Sequence, residues 1–189
     1  ETQQLIRAIA REVQIPLLID GDGITALAED PDILRQRTAP TVLTPHYGEM
    51  SRLTGKSIPE IRAGRVPLLQ QTAASLNAIL VLKGAHSLIG YPDGRVYINL
   101  SGNAGMATAG AGDVLTGAIA AMKGLGLPLD EAVRKGVYIH GLAGDLAAAN
   151  LGEDGMTASD ILKYLPQAVL QDRSGVIPRA GLHDITICP

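Results

Sequence analysis

Asn103-Ala-Gly-Met-Ala-Thr-Ala-Gly-Ala-Gly-Asp113-Val-Leu-Thr-Gly117 is the stretch on which the reading of this 189-residue chain turns. Mostly small residues run into a segment whose apolar spacing predicts a helix from near Gly112 to residue 123. At a helix start the first N–H groups point outward without a carbonyl to receive them, and the dipole favours an anion there. Glycines let the main chain approach a phosphate with no Cβ in the way. Asp113 is unexpected at such a place, because its charge repels the same phosphate. Beside a transferring phosphoryl group, a carboxylate takes the proton of the attacking hydroxyl. A helix-start acid that merely complements the dipole is the plainer alternative. An isolated Gly-Asp favours that alternative; the whole segment favours the first. No Gly-Lys-Ser/Thr follows, so this is not a Walker A loop. Its late position with no βαβ unit behind it also excludes a dinucleotide fingerprint.

Towards the N-terminus three short apolar runs each end at a polar residue. They are Ile15-Pro-Leu-Leu-Ile-Asp20, Thr41-Val-Leu-Thr44 closed by Pro45, and Ala78-Ile-Leu-Val-Leu-Lys83 before Gly84. Such runs read as buried parallel strands. Ser87 to Ile89 and Arg95 to Ile98, around Gly90-Tyr-Pro-Asp-Gly94, read as a hairpin. Residues 1–13 predict an amphipathic helix with Leu5, Ile6, Ile9 and Val13 on one face. Further helices are expected over 129–150 and 158–171, with Gly124, Gly126 and Pro128 before the first and Thr157 and Ser159 as caps for the second. Residues 172–189, with Gly175, Pro178, Gly181 and Pro189, read as an irregular tail. The alternation argues for an α/β fold: a mostly parallel central sheet with helices on both faces, forming a single domain over 1–189. Ligands of such sheets sit beyond the carboxyl ends of the strands. Asp20, His46, Lys83 and the Gly-rich turn all fall there.

Composition narrows the function. Hydrophobic residues make up 46% and charged ones 19%, which is globular composition. A net charge of −3 without a basic run sets nucleic-acid binding aside. No apolar segment approaches the roughly 20 residues a bilayer-spanning helix needs. The charged, helix-periodic opening ETQQLIRAIAREV is expected to be neither leader nor anchor. Cys188, the single cysteine, excludes an internal disulfide and a Cys-based zinc site, and a reducing cytoplasm is the plain expectation. Phe and Trp are absent, so aliphatic and Ala-rich packing carries the core. The mean hydropathy of +0.17 suggests buried helices, a missing neighbouring segment or an oligomer interface. Glu1 falls mid-helix by its pattern, as in a trimmed piece of a longer protein.

Each remaining motif has two readings. Lys83-Gly84 is a nucleotide contact or a solvated strand end. His46 and Glu49 are site residues, or a helix-entry side chain and a first-turn acid. His86 and His140, alone, read as a strand-end and a helix imidazole. Asp20 and Asp22 around Gly21 read as a turn before they read as a metal site.

Gly110-Ala-Gly-Asp113 resembles the anion-hole signature of the ribokinase-like superfamily, in whose kinases the Asp is the catalytic base. Leu43-Thr-Pro-His46-Tyr-Gly-Glu49-Met-Ser-Arg52-Leu-Thr-Gly is similar to the Thr-Pro-Asn-x-x-Glu of ribokinase-like vitamin kinases, with His46 in place of Asn. With Met106-Ala-Thr-Ala-Gly110 and Val81-Leu-Lys-Gly-Ala-His-Ser87, that variant resembles the ADP/ATP-dependent NAD(P)H-hydrate dehydratases from Ile15 to Pro166. Gly21 and Gly23 depart from the family's Asp-Ala-Asp. The resemblance implies a Gly-rich front segment before the strand at Ile15, and this sequence is expected to correspond to the C-terminal portion of the domain, without that segment.

The resemblance implies a carbon-oxygen lyase. ADP or ATP phosphorylates the ring hydroxyl of hydrated NADH or NADPH, and phosphate is then eliminated to restore the reduced cofactor. Asp113 becomes the catalytic base and a substrate contact. His46, Tyr47, Gly48, Glu49, Met50, Ser51 and Arg52 become further substrate contacts. Lys83, Gly84, Ala85, His86 and Ser87 become nucleotide contacts, with Asn103, Ala104, Gly105, Met106, Ala107, Thr108, Ala109, Gly110, Ala111 and Gly112. Mg2+ accompanies the phosphates with no direct protein ligand, Glu49 reaching it through water. The resemblance also implies a cytoplasmic homo-oligomer, fused to or working with an NAD(P)H-hydrate epimerase. The alternatives are a ribokinase-like kinase of a vitamin precursor, and a nucleotide-binding piece without turnover.

Overall fold

Leu17 pairs with Thr41, Leu18 with Val42 and Ile19 with Leu43, so β1 (Leu17–Ile19) and β2 (Thr41–Leu43) run parallel. β3 (Ile79–Leu82) extends the parallel set, with Val42 opposite Ile79. β4 (Leu88–Gly90) turns back antiparallel on β3. β5 (Val96–Asn99) follows a turn in which Tyr91 N–H donates to Arg95 C=O. β6 (Asp184–Ile187) completes the order β1-β2-β3-β4-β5-β6. Every residue of β2, β3 and β4 is buried, and successive side chains point to opposite faces, so both sheet faces are covered there. The α/β expectation holds, with the three expected strands and the hairpin in place. This computed structural model describes residues 1–175 and 184–187.

The chain forms two compact units, Glu1–Tyr97 with Thr186–Pro189, and Ile98–Ile185. The first carries α1 (Thr2–Glu12), α2 (Asp22–Ala28), α3 (Asp32–Gln36), α4 (Tyr47–Thr54), α5 (Ile58–Ala63) and α6 (Arg65–Leu76). Helices α2 to α6 lie where the apolar periodicity assigns no span. Two of them start on capping boxes, α4 at His46 and α5 at Ser57, whose hydroxyl and N–H both donate to Glu60 at 2.6 and 2.8 Å. α1 falls within its expected span and is amphipathic as expected, but its apolar face is largely uncovered. Ala10 is its buried residue, while Leu5 and Ile9 are 60% and 43% exposed.

Arg37 ties this unit together. Its buried guanidinium donates to Val13 O at 2.9 Å, Ile15 O at 3.0 Å, Thr41 Oγ1 at 2.9 Å and also Ala10 O. Those acceptors lie on α1, the segment leading into β1, and β2 itself. Burial pushes the Arg37 pKa below its ordinary value.

The second unit stacks α7 (Ala111–Gly124), α8 (Leu129–Leu151) and α9 (Ala158–Arg173). Its core is aliphatic, as a chain without Phe or Trp requires, and includes Ile139, Leu142, Ala147 and Ile161. A Cβ on Gly136 would lie 2.6 Å from Ile119 Cα, so this glycine permits the close packing of α8 on α7. Thr157 is the residue that caps α9, its hydroxyl donating to Asp160 at 2.6 Å; Ser159 lies inside the helix. The expectation of an irregular tail needs correction at two places. Residues 172–173 complete α9 and Asp184–Ile187 form β6. Pro178, Gly181, Cys188 and Pro189 lie outside the described residues.

Replacing Arg37 leaves three backbone carbonyls and a hydroxyl without their donor, two of the four in a buried place. Arg37→Ala is expected to cost about 2–4 kcal/mol of stability. Urea unfolding of the isolated chain checks this; a midpoint within error of wild type contradicts it.

Candidate active site

The carboxyl ends of the parallel strands gather the first cluster. β1 delivers Asp20, β3 delivers Lys83, and β2 runs through Thr44 and Pro45 into α4. Lys83 N–H donates to Pro45 O at 2.8 Å, and Thr44 N–H to Ile19 O at 3.2 Å, which holds the three strand ends level. Lys83 Nζ then lies 2.6 Å from Asp20 Oδ1 and 3.8 Å from Glu49 Oε2. These three side chains are largely buried, so their charges meet in a setting where pairing matters more than at a free surface.

His46 caps α4. Its Nδ1 accepts from Gly48 N–H at 2.9 Å and Glu49 N–H at 3.1 Å, while Glu49 Oε2 accepts from His46 N–H at 2.7 Å. A ring nitrogen used as acceptor places the ring hydrogen on Nε2. That Nε2 lies 3.3 Å from Glu49 Oε1. The helix-entry reading of His46 and Glu49 therefore describes their local bonds, and the imidazole stays 54% exposed. Met50, expected among the substrate contacts, is fully buried and packs the core instead. Ser51 Oγ donates to Lys56 O at 2.6 Å, at the far end of α4.

Tyr47 and the segment after β3 meet through Gly84. A Cβ there would lie 3.0 Å from Tyr47 Cε2, so glycine lets the ring sit close without having to give way. Arg62 stands over the same ring at 5.4 Å from its centroid. Arg65 Nη1 donates to Ala85 O at 3.3 Å and Ser87 Oγ to Gly84 O at 3.2 Å, which shapes the exposed loop. His86, at φ 55°, is at its tip.

In the second unit, Asn103 starts a 3-10 turn (Ala104–Met106), its Oδ1 accepting from Gly105 N–H at 3.1 Å. The chain then reaches Gly110, the N-cap of α7, at φ 86°. A side chain would be strained in that left-handed backbone. Ala111 N–H is taken by Thr108 O at 3.3 Å, and Val114 N–H by Gly110 O at 3.2 Å. Between them Gly112 and Asp113 present the N–H groups that the helix ladder leaves over. Asp113 lies in this first turn and is exposed. The predicted helix start and acid are thus where the sequence puts them.

A family model for NAD(P)H-hydrate dehydratase matches residues 1–167. The chain belongs to that family. It is 60% identical over 169 residues to the bifunctional NAD(P)H-hydrate repair enzyme Nnr of Thermofilum pendens, a match covering 89% of this chain and 32% of that protein. The ADP/ATP-dependent NAD(P)H-hydrate dehydratase of Bacillus subtilis, solved after co-crystallisation with ATP/Mg2+, superposes at a TM-score of 0.77 with 32% identity. That match covers 85% of this chain and 56% of the solved one. A ribokinase-like superfamily protein of Enterococcus faecalis superposes at 0.71 with 29% identity, over 88% of this chain and 58% of the other. The fold of this family member is therefore ribokinase-like, and the chain spans about a third of the bifunctional relative's length.

Sequence reasoning missed the α8 side of the loop. Asp145 accepts from Gly102 N–H at 2.9 Å and Asn103 Nδ2 at 3.0 Å. His140, read as an ordinary helix imidazole, hydrogen-bonds the backbone of Ala111 at the start of α7. The small residues Gly141 and Gly144 were the available signal, since glycine inside a long helix marks a close approach.

Burial lowers the His140 pKa to about 4, with the Ala111 hydrogen bond working against it, and Nε2 is sealed from solvent without a partner among the described residues. Below its unfolded value, near 6.5, the unfolded chain takes up a proton that the folded chain refuses. The stabilisation is thus complete above that value and is lost as pH falls towards 4, by at most about 3 kcal/mol. Asp160, held at about 2 by the Thr157 hydroxyl and Lys163, loses its contribution only at lower pH. His140→Asn, which keeps a donor near Nδ1, should flatten the stability profile between pH 6.5 and 4.5. Denaturant melts across that range check this; a profile as steep as wild type contradicts it.

Proposed function

We propose that the intact protein dehydrates hydrated NADH or NADPH, with ADP or ATP as phosphoryl donor, through two units that act as one ribokinase-like domain. The observation that carries this is the start of α7: a glycine cap in left-handed backbone, N–H groups at Gly112 and Asp113 unclaimed among the described residues, and an exposed carboxylate in the same turn. Unclaimed N–H groups suit phosphate oxygens, and the carboxylate suits a proton acceptor. Membership of the dehydratase family supports the substrate assignment.

In this reading the substrate hydroxyl, on the carbon beside the ring nitrogen, gives its proton to Asp113 as its oxygen bonds to the terminal phosphorus. The bond from that phosphorus to the nucleotide's bridging oxygen breaks. The C–O bond then breaks with its electron pair leaving on phosphate, expelled by the ring-nitrogen lone pair. Loss of a proton from the neighbouring carbon restores the ring double bond. Hydrate and ATP thus become NAD(P)H, ADP, phosphate and a proton released to solvent; with ADP as donor the nucleotide product is AMP.

Asn103 to Gly112 would serve the nucleotide's phosphates, Lys83 to Ser87 would make further nucleotide contacts, and the exposed members of His46 to Arg52 would meet the hydrated ring. Lys83 is already paired with Asp20, which suits a lysine that fixes the strand ends. Magnesium supplies charge neutralisation at the phosphates when it is bound with the nucleotide. The residues do not fit a protein-held ion. Among the described residues no three His, Cys, Asp or Glu side chains converge on one point. Glu49 is engaged by His46 N–H and lies beside Lys83, which argues against the expected contact through water. No step above runs through the ion.

A cytoplasmic setting, a homo-oligomer and a companion epimerase activity complete the proposal. Exposed Leu125, Leu162 and Leu170 are consistent with self-association. The name of the T. pendens relative, a bifunctional repair enzyme, is consistent with a second activity. Among the described residues no helix is long and apolar enough to cross a membrane.

Asp113→Asn in the full-length protein is expected to slow turnover by about 10²–10⁴ while nucleotide affinity stays within a few-fold. An assay following recovered reduced nicotinamide and released phosphate together checks this. Wild-type turnover by the variant removes Asp113 from the chemistry. Stable phosphorylation of a vitamin alcohol with no recovered cofactor replaces the dehydratase reading with the kinase one.

A further inference from the structure

One short stretch of α8 touches the loop from Ser101 to Ala111 at four places. A Cβ on Gly141 would lie 2.2 Å from Ser101 Oγ, and one on Gly144 would lie 2.3 Å from Met106 Sδ. Asp145 receives Gly102 N–H and Asn103 Nδ2, and His140 bonds the backbone of Ala111. The glycines allow contact; Asp145 directs it. Its two carboxylate oxygens accept one donor each, at 2.9 and 3.0 Å, and this fixes which way the Asn103 amide faces. With Nδ2 turned to Asp145, Oδ1 is left facing Gly105 N–H at 3.1 Å.

We propose that Asp145 is a positioning residue for nucleotide binding, acting through the orientation of Asn103 on the loop that leads to α7. This rests on the nucleotide reading of that loop. A half-buried carboxylate is otherwise out of place next to a loop meant for an anion. Its charge is here spent on two N–H donors that face it, so the loop keeps its remaining N–H groups for a ligand.

The donor pattern supplies the test. In Asp145→Asn a single amide oxygen must serve two donors, and the new NH2 group faces one of them. Rotating Asn103 to accept from it removes the cap on Gly105 N–H. Combining Asn103→Asp with Asp145→Asn restores all three hydrogen bonds and conserves the charge, because acceptor and donor have changed places. Calorimetry with ADP and ATP, and steady-state kinetics, are run on the full-length wild type, both single variants and the double variant. Each single change is expected to weaken nucleotide binding by about tenfold or more. The double variant should lose at least about tenfold less than the product of the two single losses. In Asp145→Asn the nucleotide KM should rise while kcat at saturation stays within about threefold of wild type. A merely destabilised protein would instead lower kcat at constant KM. Losses that multiply in the double variant, or an Asp145→Asn protein with wild-type nucleotide affinity, overturn the role of Asp145 alone. A wild-type protein that binds no adenine nucleotide overturns the nucleotide reading, and this role with it.

Discussion

The close approach of the Ser101–Met106 segment to α8 is the constraint on which the second unit's candidate site depends. It exists because Gly141 and Gly144 carry no Cβ where Ser101 and Met106 need the room. Any larger residue would push the segment outward, away from Asp145 and with Asn103 unfixed. From that contact the chain is carried through a 3-10 turn to Gly110, whose left-handed backbone starts α7 with its first N–H groups facing out. Close packing and polar direction are thus supplied by the same few residues of one helix.

In the first unit the ordering principle is charge. Three parallel strands bring Asp20, Lys83 and the entry to α4 to one edge, and Lys83 Nζ bridges Asp20 and Glu49. Glu49 in turn holds His46 N–H while the His46 ring receives the first N–H groups of α4. Separating one member leaves the others as partly buried, unpaired charges, which is costly. The arrangement therefore resists rearrangement, as a site that must present a fixed surface requires. Tyr47, seated on Gly84 beneath Arg62, is the aromatic surface that this edge offers.

Much of this was legible in the sequence, for identifiable reasons. The strands were readable because Leu17 to Ile19, Thr41 to Leu43 and Ile79 to Leu82 are continuous apolar runs closed by Asp, Pro or Lys-Gly. α7, α8 and α9 were readable because long apolar periodicity and breaking glycines bound them. α2 to α5 were not, because each has at most eight residues and periodicity needs length to stand out; α6, with twelve, lacks a marked apolar face. Leu5 and Ile9 of α1 show the opposite limit: an apolar stripe marks a face without saying what covers it. Around α7, the helix start, its glycine cap and the acid Asp113 were legible because they depend on backbone shape near one point in sequence. Asp145 and Arg37 were not, since their partners lie 42 residues away at Asn103 and 27 away at Ala10. Met50 misled because it sits inside a motif, while its place on α4 turns it into the core.

The central claim is that the start of α7 is where a nucleotide's phosphates are held. Residue-resolved amide hydrogen exchange, on the full-length protein with and without ADP or ATP, tests it most directly. The account predicts that exchange at Gly112 and Asp113 slows by about tenfold or more on nucleotide addition, because those N–H groups gain an acceptor they lack in the free protein. Slowing confined to other segments, with Gly112 and Asp113 exchanging as before, would contradict it.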